Sequence, residues 1–532
     1  MNQTTTDLWP RVEDVQPEHS SRYLPSPPTD HERDLYLGPQ HRWVTPLSFL
    51  GYILIVISVA LFVMRRYWSA FLFAPLLIST AGTTVSLLTS SRRRRVSLEE
   101  HRRRVDAWVP DVVPSVDVFL PSAGEDLEVL TNTYTHVSRL EWPGELVVHV
   151  LDDSGRDSVR RLAEAYGFRY LSRPDKGRLK KAGNLRFGFE HSRGDIIAVF
   201  DADFVPRRDY MFELAPYLDD PAVAIVQSPQ FFDADKSMNW LQRAAGATQV
   251  LFYRWVQPSR DRSGAAICVG TSALYRRAAL ERSGGFAQIG HSEDVHTGVN
   301  LLAVGYRLRY VPTVVSKGMC PDTFNQFATQ QYRWCTGSMS LLFSKRFHRL
   351  DLSLMQRLCF WSGFLYYITT ALNVFVMLIP PIIMGYFAAG QVRTSNYVFV
   401  ALALIVRQAV VPLITLERES LLGLARIQTT YSFSHAVALW DVIRGRTDSW
   451  VATGAAGGSP TAVRVRRLAA AWFVGVQVLL WGAIAWHAPQ YGLERYWPYI
   501  ATALLNLYIG LPIALGWTRL PWRRSEPAVV PA

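Results

Sequence analysis

An α/β domain set inside a bundle of membrane-spanning helices is the architecture the sequence predicts, and three observations predict it. Apolar runs long enough for a bilayer cluster towards the two ends of the chain. Between them, short β-type runs alternate with helix-type segments, the pattern of a parallel sheet with crossover helices. At 532 residues the chain has room for both parts.

Taken in order, residues 1–42 are polar and rich in Pro, Ser and Asp, carry no signal-peptide pattern, and are expected to form a disordered cytoplasmic tail. Two apolar runs fill 43–90, "VTPLSFLGYILIVISVALFVM" and "YWSAFLFAPLLISTAGTTVSLLT". Only Arg65 and Arg66 part them, so they read as a helical hairpin. The arginine blocks at 92–95 and 102–104 follow and place the next segment in the cytoplasm. Residues 91–345 contain no span-length apolar run. Their strand-like pieces, "VDVFLPS", "ELVVHVLDDS", "DIIAVFDAD" and "AVAIVQSP", end in polar or acidic residues, and ligands of open α/β sheets bind at that carboxyl edge. From 346 to 519 four more spans are expected, at 358–387 with a kink at Pro380 and Pro381, and at about 396–416, 468–487 and 496–517. An amphipathic stretch, 417–447, lies between them. Residues 520–532 would be a second cytoplasmic tail. Six spans leave both ends inside, which makes this a multi-pass protein of the cell membrane with a cytoplasmic catalytic domain.

The net charge of +12 suits nucleic acid or an anionic membrane. The arginine clusters flank apolar spans, so lipid headgroups explain them more simply and no nucleic-acid partner is expected. The cysteines are Cys268, Cys320, Cys335 and Cys359. They form no CxxC and no zinc-like spacing with histidine, and read as reduced.

The chemistry gathers in "DIIAVFDADFVP". Asp201 and Asp203 lie two apart after a buried run, so their side chains share a face. They either cap a turn or grip one hard cation, Mg²⁺ or Mn²⁺, that takes phosphate oxygens. "LDDSG" adds Asp152 and Asp153, "KKAGN" adds Lys181, "HSEDVHTG" adds Glu293 and Asp294, and "QQYRW" adds Gln330, Arg333 and Trp334. A sugar nucleotide needs such a set: acids for ribose, base and metal, a cation for the diphosphate, a carboxylate to deprotonate a hydroxyl, and a ring to stack on a sugar.

The order DD, DxD, ED, QxxRW resembles the processive, membrane-embedded family 2 glycosyltransferases, bacterial cellulose synthases above all, over about 115–345. "KAGN", "QSPQFF" and "VGTSALYRR" are similar to further segments of that branch. The resemblance implies a GT-A fold, Rossmann-like and built for nucleotide-diphospho-sugars. It implies that Ser122, Glu125, Asp152 and Asp153 meet the uridine, although Ala123 and Gly124 depart from the usual aromatic and Asn. Lys181 and Arg333 would meet the diphosphate. Asp201 and Asp203 would bind UDP and the metal, and Asp294 would be the general base, with Ser292 in place of the usual Thr. Gly270, Thr271, Ser272, Glu293, Gln330 and Trp334 would surround the acceptor. "WVATGA" resembles the family's gating loop near 446–460 through Trp450 and Thr453, with Ala455 where a lysine is usual. The short tail leaves no room for a cyclic-di-GMP-binding barrel, so direct control by that nucleotide is not expected.

The expected activity is inverting transfer of a sugar, glucose first, from a UDP-sugar to the end of a growing polysaccharide, with export coupled to elongation. An accessory export subunit is a possible partner of unknown kind. Two alternatives stand beside it: a non-processive transferase with a lipid acceptor, and a non-catalytic scaffold with a degenerate transferase domain.

Overall fold

The computed structural model describes residues 23–39, 43–235, 237–415, 419–446 and 459–518. The proposed gating residues Trp450, Thr453 and Ala455 lie outside them.

Ten strands form between 116 and 319: β1 (Val116–Ser122), β2 (Leu146–Asp152), β3 (Arg169–Leu171), β4 (Ile196–Val199), β5 (Phe204–Pro206), β6 (Val223–Gln227), β7 (Phe231–Asp233), β8 (Ala273–Arg276), β9 (Arg307–Tyr310) and β10 (Ser316–Met319). Seven make one sheet in the order β3-β2-β1-β4-β8-β6-β9, and β5-β10-β7 make a small second sheet. β1, β4 and β6 are buried along their whole length, as strands covered on both faces must be. The order turns at β1, with β2 on one side and β4 on the other. That opens a crevice at their carboxyl ends.

The sheet is mixed, where the sequence pattern predicts a parallel one. β8 runs antiparallel to both β4 and β6. A strand entered from the opposite end starts where its neighbours finish. The "VGTS" loop before β8 therefore lies beside the carboxyl end of β4, and the Ser272 amide donates to the Val199 carbonyl at 2.9 Å.

The N-terminal expectation also needs correction. Residues 23–39 are docked along the domain. Tyr23 donates to Asp233 at 2.7 Å, Lys317 pairs with Glu32 at 3.1 Å, and Arg33 pairs with Glu213 at 3.2 Å. Tyr36 and Leu37 are buried. Composition marked this stretch as polar, but its charges are answered by opposite charges on the domain.

Among the described residues, five helices are long and apolar enough to cross a membrane: Val44–Arg65, Tyr67–Ser90, Leu354–Phe387, Pro460–Tyr491 and Leu493–Leu515, with a shorter apolar helix at Thr394–Val410. Leu354–Phe387 breaks before Ile379, and Pro380 and Pro381 sit in the next first turn, where a missing N–H costs nothing. The stretch read as amphipathic is one helix, Leu421–Ile443. It packs on Phe324–Leu342 and Trp240–Leu251 and buries Arg426, His435 and Asp441. Tyr332 and Arg464 both donate to Asp441, at 2.8 and 2.9 Å, so a charge within that helix is neutralised where it lies.

Candidate active site

The carboxyl edge of the sheet opens into a cavity of about 510 Å³. Ser122, Glu125, Asp153, Lys181, Asp201, Asp203, Glu293, Asp294, Gln330, Arg333 and Trp334 all line it. These residues come from six separated stretches of chain, and the topology explains their meeting.

At the end of β2 the two adjacent acids part company, because neighbours on a strand point to opposite faces. Asp153 turns into the cavity wall. Arg173, buried and not singled out from the sequence, holds it by two hydrogen bonds of 2.6 and 2.8 Å, and the Gly177 amide adds a third at 3.0 Å. Asp152 turns inward and is fully buried. It accepts from the Ser154 amide at 2.9 Å, the Arg156 amide at 3.1 Å and the Tyr170 hydroxyl at 2.9 Å, and so shapes the turn after β2. It is not among the residues that line the cavity. At the end of β1, Glu125 folds back onto the Ala123 amide at 2.6 Å. Burial raises its pKa against that hydrogen bond.

Beyond β4 the Asp201 amide donates to Thr271 Oγ1 at 2.9 Å. Lys181 pairs with the Asp201 carboxylate, donates to the Gly270 carbonyl at 2.8 Å, and lies 3.9 Å from Glu293. Two successive left-handed residues, Leu179 and Lys180 at φ 55° and 54°, turn the chain just before it. Such a conformation is uncommon away from glycine and costs free energy, which the surrounding contacts must offset. Burial disfavours the Lys181 charge, but Asp201 and Glu293 outweigh it and its pKa is raised. Thr271 and Ser272 do not line the cavity. Ser272 is fully buried and bonds Ser316, so this pair supports the loop.

Asp294 sits in the first turn of the Glu293–Ala303 helix. Gly270, at φ 79°, lies so close that a Cβ there would stand 3.0 Å from Asp294 Oδ2. Across the cavity the Phe324–Leu342 helix carries Gln330, Arg333 and Trp334. The two helices touch where Gly337 leaves room for Ser292 and where His296 bonds Ser340 at 2.8 Å. Burial, then Glu293, pushes the Asp294 carboxyl up to about 7, against the Val295 amide that favours its charge. Burial, then Asp201 and Glu125, pushes Asp203 up to about 7 as well. Burial lowers the Arg333 pKa, with Glu293 and Asp201 pulling the other way.

Carboxylates thus outnumber cations around the cavity, and burial, then the acidic neighbours Asp201 and Glu125, holds Asp203 well above the usual carboxylate range. A hard divalent cation fits such a donor set. Asp201 and Asp203 would hold it. Among the described residues no cluster of three or more His, Cys, Asp or Glu forms a ready cage, so phosphate oxygens and water would complete the shell. Away from the acids the lining turns aromatic and reaches Phe360, Phe364, Tyr366 and Tyr367 of the Leu354–Val376 helix, with Ser86 and Ser90 of the second apolar helix.

Comparison with known proteins gives the same class. Residues 196–410 match the family model described as glycosyl transferase family group 2. The chain is 33% identical over 313 residues to the UDP-forming cellulose synthase catalytic subunit of Pseudomonas fluorescens, covering 57% of this chain and 42% of that protein. It is 31% identical over 267 residues to the corresponding subunit of Xanthomonas axonopodis pv. citri, covering 48% and 36%. The chain therefore matches less than half the length of these relatives. Among solved structures, the mannosyltransferase PcManGT from Pyrobaculum calidifontis, in complex with GDP-Man and Mn²⁺, superposes with a TM-score of 0.47 at 18% identity, covering 69% of this chain and 98% of that one. Residues 196–410 of the mixed-sheet domain and the helices after it are thus similar to glycosyl transferase family group 2.

Proposed function

We propose that this protein is a cellulose-synthase-like enzyme that transfers glucose from UDP-glucose to the end of a growing polysaccharide and passes the product between its membrane helices. The observation that carries the reading is that one continuous cavity has two unlike ends. One end is walled by acids and cations at the sheet edge, and the other by aromatic rings on a helix long enough to span a bilayer. Rings of that kind stack on sugar faces, and a polymer leaving the reaction centre would meet them next.

The roles follow from position. The nucleoside lies towards Ser122 and Asp153, and the diphosphate between Lys181 and Arg333. A bound Mg²⁺ or Mn²⁺ at Asp201 and Asp203 would supply charge neutralisation to the diphosphate. Trp334 and Gln330 hold the acceptor end. Asp294 accepts the proton of the acceptor hydroxyl as that oxygen bonds to the anomeric carbon and the bond to the UDP oxygen breaks, with inversion. Arg333 stabilises the charge left on the diphosphate. The charge neutralisation at Lys181 and Arg333 does not depend on which hydroxyl attacks.

The test supplies purified full-length protein with several UDP-sugars and Mg²⁺ or Mn²⁺, and digests the product with linkage-specific hydrolases. A polymer from UDP-glucose supports the reading. A single sugar on a lipid favours the non-processive alternative, and no turnover with any donor favours the scaffold. In inside-out vesicles, coupled export leaves polymer in the lumen, and product found only outside contradicts it.

A further inference from the structure

A second cavity, of about 210 Å³, lies on the far side of the Glu293–Ala303 helix from the acids. His296, Val299 and Asn300 stand three and four residues apart and so share one face of that helix, which turns Asp294 to the first cavity and these three to the second. The end of the Phe324–Leu342 helix and the turn after it close the other side with Leu341, Ser344, Arg346 and Phe347. Leu341 lines both cavities. The floor is apolar, with Ala287, Val299, Leu341 and Phe347 all buried.

The rim is polar and carries open donors and acceptors. Among the described residues Arg346 meets no carboxylate and its side chain makes no hydrogen bond, and no Asp or Glu lines the cavity. The Asn300 carboxamide likewise bonds no described group, which leaves it one donor group and one acceptor. His296 is fixed more closely. Ser340 donates its one proton to the Gly337 carbonyl at 2.7 Å, so it accepts from His296 Nε2 at 2.8 Å. Burial lowers the His296 pKa, and the neutral ring presents a bare lone pair at Nδ1. That atom has no partner among the described residues and is not sealed from solvent. A cation at the rim calls for an anion, whereas a bare lone pair repels one and calls for a hydroxyl. A phosphate that carries a hydroxylated group meets both demands. The volume falls below the roughly 300 Å³ at which sites for larger ligands begin, and suits a headgroup rather than a nucleotide. Position names the source. Phe343 and Leu354 flank the rim at 64% and 74% exposure, with Lys345, Arg346 and Arg349 exposed between them. Leu354 opens a helix long and apolar enough to cross a membrane. Exposed apolar side chains among cations at the mouth of such a helix suit the headgroup layer of a bilayer.

We propose that this second cavity binds the polyol-phosphate headgroup of an anionic phospholipid, with the phosphate on Arg346 and the headgroup hydroxyls on Asn300 and His296 Nδ1. The site goes beyond the function proposed above and does not depend on it. Its walls are the two helices that carry Asp294 and Arg333, so an occupied site braces those helices against each other.

The test is lipid binding by native mass spectrometry on the full chain in neutral detergent, for wild type, Arg346→Ala and Asn300→Leu. The probes are phosphatidylglycerol, phosphatidylcholine, which has no headgroup hydroxyl and no net charge, and soluble glycerol phosphate. Wild type is expected to retain phosphatidylglycerol over phosphatidylcholine. Arg346→Ala is expected to weaken phosphatidylglycerol about tenfold and Asn300→Leu a few-fold. Neither side chain bonds the protein, so Tm is expected to stay at the wild-type value in both variants. Phosphatidylcholine retained as well as phosphatidylglycerol shows ordinary surrounding lipid and overturns the proposal, as does unaltered phosphatidylglycerol affinity in either variant. Glycerol phosphate bound in an Arg346-dependent way, with phosphatidylglycerol not retained, overturns the lipid source. Turnover is not read, so failure here leaves the function proposed above standing.

Discussion

Two acid pairs close the two strands that flank β1, and the protein treats them in opposite ways. At β2, Asp152 and Asp153 are answered by the protein itself. Backbone amides and a tyrosine hydroxyl surround the first, and a bidentate arginine holds the second. Beyond β4, Asp201 shares Lys181 with Glu293, and Asp203 is pushed up to about 7 by burial and by its acidic neighbours. A carboxylate whose hydrogen bonds are filled holds a shape. A carboxylate short of positive charge is poised for something that arrives with it. The β2 pair builds the wall, and in the proposed function the β4 pair and Asp294 carry the chemistry.

Four substitutions or conditions sharpen that contrast. Asp294→Asn keeps size and loses basicity, so kcat is expected to fall about 10²–10⁴-fold while UDP affinity is retained, measured by turnover and calorimetry on the same preparation. Next comes Gly270→Ala. Its Cβ would crowd Asp294 Oδ2 at 3.0 Å and sit on a backbone with φ 79°, which misplaces the base and lowers kcat roughly 10- to 100-fold. The pH profile has a smaller reach. The Asp294 carboxyl, raised to about 7 by burial and Glu293, keeps its proton below that pH and then cannot accept another. The initial rate should level off above about pH 7 and fall roughly tenfold per unit below it. Smallest for catalysis is Asp152→Ala. It leaves buried amide donors unpaired and should destabilise the fold by about 2–4 kcal/mol, seen as a lower Tm, yet change kcat only a few-fold. A large kcat loss in Asp152→Ala with Tm unchanged would erase the distinction between the two pairs.

Much of this was legible in the chain because it is local. Apolar runs mark helices that can span, and short apolar runs ending in acids mark strands with a functional edge. The parts that were not legible depend on distant partners. Nothing in "ALYR" announces that β8 will run antiparallel, since direction is set by the neighbours β4 and β6. Composition cannot show that Glu32 and Arg33 will find Lys317 and Glu213. At the site, spacing grouped Asp152 with Asp153, while the strand's alternation divides them. It passed over Arg173, a lone arginine in "SRPDKG" that holds Asp153. Thr271 and Ser272 carry hydroxyls in the right loop, but their burial leaves them to hold that loop in place.

The central claim is that the under-satisfied acids surround a cation-bound nucleotide. A cryo-EM map of the full chain with UDP and Mn²⁺ tests it most directly. The account predicts one metal between Asp203 and the diphosphate, the β-phosphate between Lys181 and Arg333, and the uridine towards Asp153. A nucleotide bound anywhere else, or a metal held without Asp203, would contradict it.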